Sequence, residues 1–562
     1  MDLVQSSRKL ISDMIQLAGS QMKLFLMDAE TTPTVSCAFA QSEVMQKEVY
    51  IFDRIENKTS SENIKNLKCI VFVRPTAQNI ERLVKELQDP RFSQYYLYFT
   101  NTINKYDVKR LAESDKNETV REVQEVFLDG IPLRKDLFTM NLNHIFDSSF
   151  NVKENEAERI KSGIIALLLQ LRKAPAVRCP SYPSLLISFK LLMFRYQKTS
   201  SNCKKIADEV AQFIRRENGL FENAKSDTTL LVIERSQDIA TPLLNQWTYE
   251  AMIHEMLTLT NNRCTCTDQS IVLSELHDEF FAKNIISNFG EIGQNIKALI
   301  SEFQEKKHIN KNLESIQDMK KFVEDYPQFK KISGTVSKHV TLVGELSNLI
   351  QKHNLLEISE CEQTIVSEGD QNKCINKIRA LLKSPKTREV DILRLVLLYA
   401  IRYEGTQNEL ESLYRQLGPH RSKIEQTVKA LLSYGGSRRR PADLFGGQST
   451  IDITKRFIKG LKGVENIYTQ HSPYLKTIVE MCQRGRLDNY PLLSNDCDRM
   501  DNIILFIVGG ATYEEAAFVR SLNERRAQGF GGPAVVLAGN CMLNTKSFLD
   551  EFTNLDRSTG AI

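Results

Sequence analysis

A chain of 562 residues is too long for one hydrophobic core and implies roughly three or four folding units. Its 41% apolar and 26% charged residues are ordinary for a globular protein, and a net charge of +4, from 74 basic and 70 acidic residues, is too small to imply wholesale binding to nucleic acid or to an acidic membrane. The 11 cysteines are odd in number and scattered, no signal peptide opens the chain, and no run reaches the roughly 18 apolar residues of a membrane span. Reduced thiols in the cytosol are expected, with membrane contact borrowed from a partner.

The opening MDLVQSSRKLISDMI is an amphipathic helix with Arg8, Lys9 and Asp13 on its polar side. From Lys23 strand and helix alternate: residues 23–28, 49–55, 68–73, 95–100 and 120–127 read as strands, with helical segments such as 79–87 and 108–113 between them. Such alternation means a parallel sheet with helices on both faces, a flavodoxin-like α/β domain whose ligands sit beyond the carboxyl ends of the strands, where Asp28 lies. The loops after the first and third strands, MDAETTP and VRPTAQN, hold no glycine to let a phosphate approach the backbone, so no nucleotide cofactor is expected.

Residues 136–142 read as a further strand. Two helices follow, one marked by Ile160, Ile164, Ile165, Leu168 and Leu171, the other by Ile206, Val210, Phe213 and Ile214, with a break at CPSYPS (179–184) between them. Leu230 to Ile233 is a continuous apolar run suited to a central parallel strand. Glu234, Arg235 and Asp238 interrupt it, Thr241 and Pro242 make a break, and a helical pattern begins near Trp247 with Tyr249, Met252, Ile253, Met256 and Leu257 on one side. That strand needs parallel neighbours, and they appear only at the far end, in residues 502–510 and 533–539. The prediction is a first domain of residues 1–128, a discontinuous α/β domain of 129–239 and 472–562, and a helical insertion of 240–471.

Within the insertion, Ile292, Ile296, Leu299, Ile300 and Phe303 define one helix, and Leu313, Ile316, Met319, Phe322 and Val323 the next. After Pro327, the residues Phe329, Ile332, Val336, Val340, Val343, Leu346 and Ile350 follow at coiled-coil steps of three and four. Such a stripe receives a partner helix or, more commonly, packs inside its own domain. The loop 433–449, with Arg438, Arg439 and Arg440, reads as a solvated tip or as a contact for phospholipid head groups.

Catalytic patterns fail where they matter. His254 and Glu255 begin a zinc-protease motif, but Thr258 stands where the second histidine is needed, and Cys264 and Cys266 lack a second pair. Asn544 and Thr545 replace the glycine a phosphate loop needs before Lys546, and Gly509-Gly510 after a strand reads first as turn geometry. An interaction protein without catalytic residues, metal or cofactor is expected, with a nucleotide-binding hydrolase on a doubly wound fold as the alternative.

The order Glu234-Arg235-x-x-Asp238-x-x-Thr241-Pro242-Leu243-Leu244, followed by Trp247-x-Tyr249-x-x-Met252-Ile253-x-Glu255, resembles the signature of the SM family, the chaperones of syntaxins and other SNAREs. Glu234 stands where an aspartate is usual, and Ile239 where endosomal members often have proline. The blocks MKLFLMDAETT, QSEVMQKEVYIFDRIEN and LAESDKNETVREVQEVF are similar to the endosomal, vacuolar-protein-sorting members.

The resemblance implies an arch of three domains, the helical one divided into 3a, about 240–355, and 3b, about 356–471. It implies a Qa-syntaxin of the endosomal or trans-Golgi type as partner. The syntaxin's amino-terminal peptide would lie in a pocket at Val108, Leu111 and Glu125, and its helical bundle in a central cleft with polar contacts from Asp28 and Arg54. Domain 3a would carry a surface for the R-SNARE, hinged at Pro327 and continued by Phe329, Ile332, Val336 and Val340. The assembled SNARE complex and a Rab-effector tether complete the implied partners. The implied work is vesicle docking and fusion between endosomes and the trans-Golgi, by a cytoplasmic protein held peripherally on those membranes. From the residues alone, Val108 and Leu111 read as buried helix positions, Asp28 and Arg54 as strand-end residues satisfied locally, and Pro327 as a first-turn residue of a helix.

Overall fold

The computed structural model describes residues 1–57, 65–172, 193–196, 200–222, 227–309, 316–368, 370–440, 444–445, 471–484, 490 and 501–553. The break expected at 179–184, Leu313 and part of the 433–449 loop lie outside the described residues. The chain divides into two compact units: Met1–Glu234, Met481–Ala511 and Leu522–Met542 form one, and Arg235–Glu480, Thr512–Ser521 and Leu543–Ile562 the other.

The first unit holds two sheets. β1 (Lys23–Met27), β2 (Val49–Arg54), β3 (Lys68–Val73), β4 (Gln94–Phe99) and β5 (Val120–Glu125) lie in the order β2-β1-β3-β4-β5, every pair parallel. That order is the flavodoxin-like one expected from the alternation of elements. β1 is buried along its whole length because both faces are covered. Ile11, Met14 and Ile15 of the helix Leu3–Leu17 pack on one side, and Ile80, Leu83 and Leu87 of the helix Ala77–Gln88 join Leu111 of the helix Lys105–Ser114 on the other. β5 stands at an edge and alternates between half-buried and exposed residues.

The second sheet is built from both ends of the sequence. β6 (Ile131–Arg134) and β7 (Leu137–Thr139) form an antiparallel pair; β8 (Met193–Tyr196) and β9 (Thr228–Glu234) follow. The chain then leaves the sheet for a short hairpin, β10 (Arg263–Cys266) with β11 (Gln269–Val272), and a run of helices. It returns as β12 (Asn502–Val508), the two-residue β13 (Ala511–Thr512) and β14 (Ala534–Gly539). The sheet order is β6-β7-β14-β12-β9-β8, so β12 sits between β9 and β14, with Leu505 beside Leu231 on one side and Leu537 on the other. The late strands are thus the neighbours that the run at 230–233 required. β6 and β8 carried no distinct signal in the sequence.

The second unit is mainly helical. It includes the helices Tyr249–Leu257, Phe289–Ile309, Ile316–Lys352 and Glu389–Arg402. Among the described residues, no helix is long and apolar enough to cross a membrane.

Candidate partner-binding surfaces

The segment after β9 carries the strongest sequence signal, and its side chains point inward. Arg235 donates through Nη1 and Nη2 to the two carboxylate oxygens of Glu515, both at 2.8 Å, and through Nε to the Asp238 carbonyl. Asp238 in turn accepts from the Thr241 amide (3.0 Å) and hydroxyl (2.6 Å) and from the Tyr474 amide (2.9 Å). Burial works against this carboxylate, but Arg235, His471 and these donors hold its pKa below the ordinary range. Trp247 donates through Nε1 to Ser359 Oγ at 2.7 Å, and Glu255 accepts the Thr545 amide and meets Arg394. Arg394 is itself buried, reaching Glu362 at 2.7 Å and Asn245 Oδ1 at 3.0 Å. The signature is therefore a set of internal staples of the helical unit. Ile239, the departure from proline, packs where Gly435 has no side chain: a Cβ there would stand 2.5 Å from Ile239 Cγ2 and 2.9 Å from the Ser236 carbonyl oxygen.

At the carboxyl end of β1, where a doubly wound sheet keeps its ligand crevice, Asp28 fills the space with its own carboxylate. Oδ1 accepts the amides of Glu30 and Thr31 and the Thr31 hydroxyl; Oδ2 accepts the Arg74 amide at 2.7 Å and Asn79 Nδ2 at 2.8 Å. The backbone donors a phosphate would use are already committed. Beside it, Asp129 joins Arg74 (3.3 Å) and Arg159 (3.1 Å), and both arginines reach Glu30. Asp28 is thus buried and committed to internal hydrogen bonds. Arg54, at the end of the edge strand β2, is exposed.

Gly509 and Gly510 after β12 adopt φ of 98° and 96°, and the Gly509 amide is taken by Asn540 Oδ1 at 2.8 Å, so this pair serves turn geometry. Asn544 and Ser547 cap the helix Thr545–Thr553 reciprocally, which accounts for the sequence that imitates a phosphate loop.

An exposed apolar flank lies on the first sheet. β5 is bulged opposite Tyr95 and Tyr96, after which Val123 pairs with Leu97 and Glu125 with Phe99. Paired residues of parallel strands share a face, and Leu97 and Phe99 lie under the helix Lys105–Ser114 with Leu111. Val123 and Glu125 therefore project beside that helix, beyond the end of its cover. Val123 is 44% exposed, Val108 38% and Tyr106 71%, whereas Leu111 is 5% exposed and part of the core. Glu125 Oε1 accepts the Ile103 amide at 2.8 Å, fixing the loop that starts the helix. The helix reading from residues alone is thus right for Leu111 and wrong for Val108. Tyr106 and Val123 were missed; their signal was the alternating edge strand VREVQE and a helix too polar to cover it.

The helix Ile316–Lys352 continues through Pro327, so that proline is an interior residue and not a first-turn one. The side chains of Pro327 and Phe329 lie outside the described residues. The apolar stripe is rotated from the one the spacing suggested. His339, Leu342, Leu346 and Ile350 are buried, Ile332, Val336 and Val343 are half-buried, and Val340 is 40% exposed. The reason is His339, a polar residue that occupies a seam position and that a purely apolar count passes over. Tyr249 and Asp278 meet its ring from either side.

The Sec1 family model matches residues 23–551. This chain belongs to the Sec1 family. Among its Sec1-family relatives, Vacuolar protein sorting-associated protein 45 of Mus musculus is 44% identical over 98% of this chain and 96% of its own length. A solved structure of the SM protein Vps45 in complex with Qa SNARE Tlg2 (1-310) is 37% identical, covers 100% of this chain and 99% of that one, and superposes with a TM-score of 0.88. The Unc18–syntaxin 1 complex from Monosiga brevicollis shares the Sec1-family fold at 17% identity and a TM-score of 0.77. The resemblance drawn from the signature and the amino-terminal blocks is borne out.

Proposed function

We infer that this chain is an SM-type SNARE chaperone that binds a Qa-syntaxin and promotes SNARE assembly in transport between endosomes and the trans-Golgi. The observation that carries the reading is full-length similarity, at 37% identity and a TM-score of 0.88, to a Vps45 solved with its Qa-SNARE. On this reading residues 1–128 hold the syntaxin's amino-terminal peptide on the flank of Val108, Tyr106, Val123 and Glu125. Arg54 contributes to the grip on the helical bundle. The exposed and half-buried side of Ile316–Lys352, with Ile332, Val336 and Val340, receives the R-SNARE. Tethering by the peptide raises the effective concentration of the remaining contacts to about the millimolar range, so modest sites add up to selective binding. The protein is cytoplasmic and reaches endosomal and trans-Golgi membranes through these partners. No observation favours the nucleotide hydrolase.

The test is capture of purified cytosolic SNAREs, endosomal and plasma-membrane Qa-syntaxins side by side, on the purified chain. Retention of the endosomal Qa-SNARE alone is the expected result. Equal retention of both, or of neither, refutes the reading.

A further inference from the structure

Among the described side chains of the helix Ile316–Lys352, burial begins at one point. Among its described side chains none before His339 is buried, whereas His339, Leu342, Leu346 and Ile350 are. The helix packed against it, Phe289–Ile309, buries Ile292 and Ile296 and none of the described residues beyond them. Among the described side chains, those buried in the pair lie at its base.

That burial begins with a polar group. His339 Nδ1 lies 2.8 Å from Tyr249 Oη, and Nε2 lies 3.0 Å from Asp278 Oδ2, a carboxylate that also takes Lys338. Asp278 caps the helix Glu279–Asn284 by accepting the Phe281 amide at 2.9 Å. The Phe280 ring stands 4.6 Å from the imidazole, and Phe281 stands 6.2 Å from Tyr249. A neutral imidazole satisfies the whole chain of bonds: the Tyr249 hydroxyl donates to Nδ1, and Nε2–H donates to the carboxylate. Burial pushes the imidazole below its ordinary range and so favours that form.

Apolar contacts are non-directional and tolerate a small rotation of the helix, whereas one hydrogen-bonded residue in the seam admits a single phase. We propose that Tyr249, His339 and Asp278 are a positioning latch. They set the rotation of the long helix about its axis, and so which flank of its amino-terminal half meets the R-SNARE helix. The consequence for the R-SNARE rests on the surface assigned to this helix under Proposed function; the latch itself rests on the geometry above.

The test uses the full chain with His339→Gln and Tyr249→Phe, read by hydrogen exchange of the amides of residues 339–352 and by affinity for a soluble endosomal R-SNARE fragment. Exchange protection should fall about tenfold in His339→Gln and less in Tyr249→Phe. R-SNARE affinity should fall in parallel, with binding of a syntaxin amino-terminal peptide unchanged. Should His339→Gln fail to fold, Tyr249→Phe, which removes a single hydroxyl, carries the same test. Unchanged exchange in the latch variants overturns the proposal, and so does loosened exchange with undiminished R-SNARE affinity. Val340→Glu separates the two layers. It should weaken R-SNARE binding with exchange intact, and normal binding by this variant sinks the assigned surface rather than the latch geometry.

Discussion

The signature segment, Arg235 to Leu257, and the flank of Val108, Tyr106 and Val123 represent opposite uses of side chains. In the first, Arg235, Asp238, Thr241, Trp247 and Tyr249 are buried and tied to residues distant in the chain, from His339 and Ser359 to Tyr474 and Glu515. In the second, apolar groups stand in solvent beside an edge strand with nothing described covering them. The residues that identify the family hold the helical unit together, and the residues proposed to meet partners are few, ordinary and scattered. Buried charged networks tolerate little change because each partner left behind is an unpaired buried charge. A partner surface needs only the right shape and a few apolar anchors.

That contrast can be broken at several points. Arg235→Met leaves the Glu515 carboxylate buried without its bidentate partner and should cost about 3–5 kcal/mol, seen as a lower midpoint in denaturant. A neutral outcome would remove the signature from the framework. Leu111→Ala should cost about 2–5 kcal/mol, since that side chain lies in the core of the first sheet. Gly435→Ala forces a methyl against Ile239 and the Ser236 carbonyl, for about 1–3 kcal/mol; pairing it with Ile239→Ala should recover part of the loss.

Val108→Asp belongs to the other class. It should leave thermal stability within about 0.5 kcal/mol of the parent yet weaken binding of a syntaxin amino-terminal peptide about tenfold. A fall in stability without a fall in affinity would return Val108 to the core reading.

The smallest effect concerns pH. His339 is held below its ordinary value of 6.5, so the unfolded chain takes up a proton there before the folded one. Its contribution is complete above pH 6.5 and is lost as the pH falls. Asp278, kept at about 2 by His339 and Lys338 in spite of burial, keeps its own contribution until much lower pH. Glu362, raised by burial to about 7 although Arg394 opposes the shift, acts in the contrary sense: its contribution is present below 4.5 and lost as the pH rises through 7. His339→Gln should therefore lose less stability than the parent on acidification from pH 7 to about 5.5, measured by thermal unfolding.

Much of the fold was legible because period and burial agree where both faces of a strand are covered. The runs at 24–27, 69–73, 230–233, 503–508 and 534–539 are apolar throughout and all became strands of the two sheets. β6 and β8 escaped because each is four residues long and carries a polar or proline residue within it. The proposed partner surfaces were harder. Leu111 and Val108 differ by one helical turn and look alike in sequence, and only the end of cover at β5 distinguishes them. Asp28 sits at the carboxyl end of a strand, where ligands bind, but its neighbours Thr31, Arg74 and Asn79 turn it into a local pin. In the long helix the count of apolar steps missed the phase because His339 takes a seam position that only its partners Tyr249 and Asp278 make tolerable.

The most direct test is calorimetric titration of the purified chain with the cytosolic region of an endosomal Qa-syntaxin, intact and lacking its amino-terminal peptide, against the parent and Val108→Asp. Tight binding of the intact syntaxin by the parent is predicted, with similar weakening by either change and no further loss when both are combined. Equal affinity in all four titrations, or no binding in any, would contradict the account.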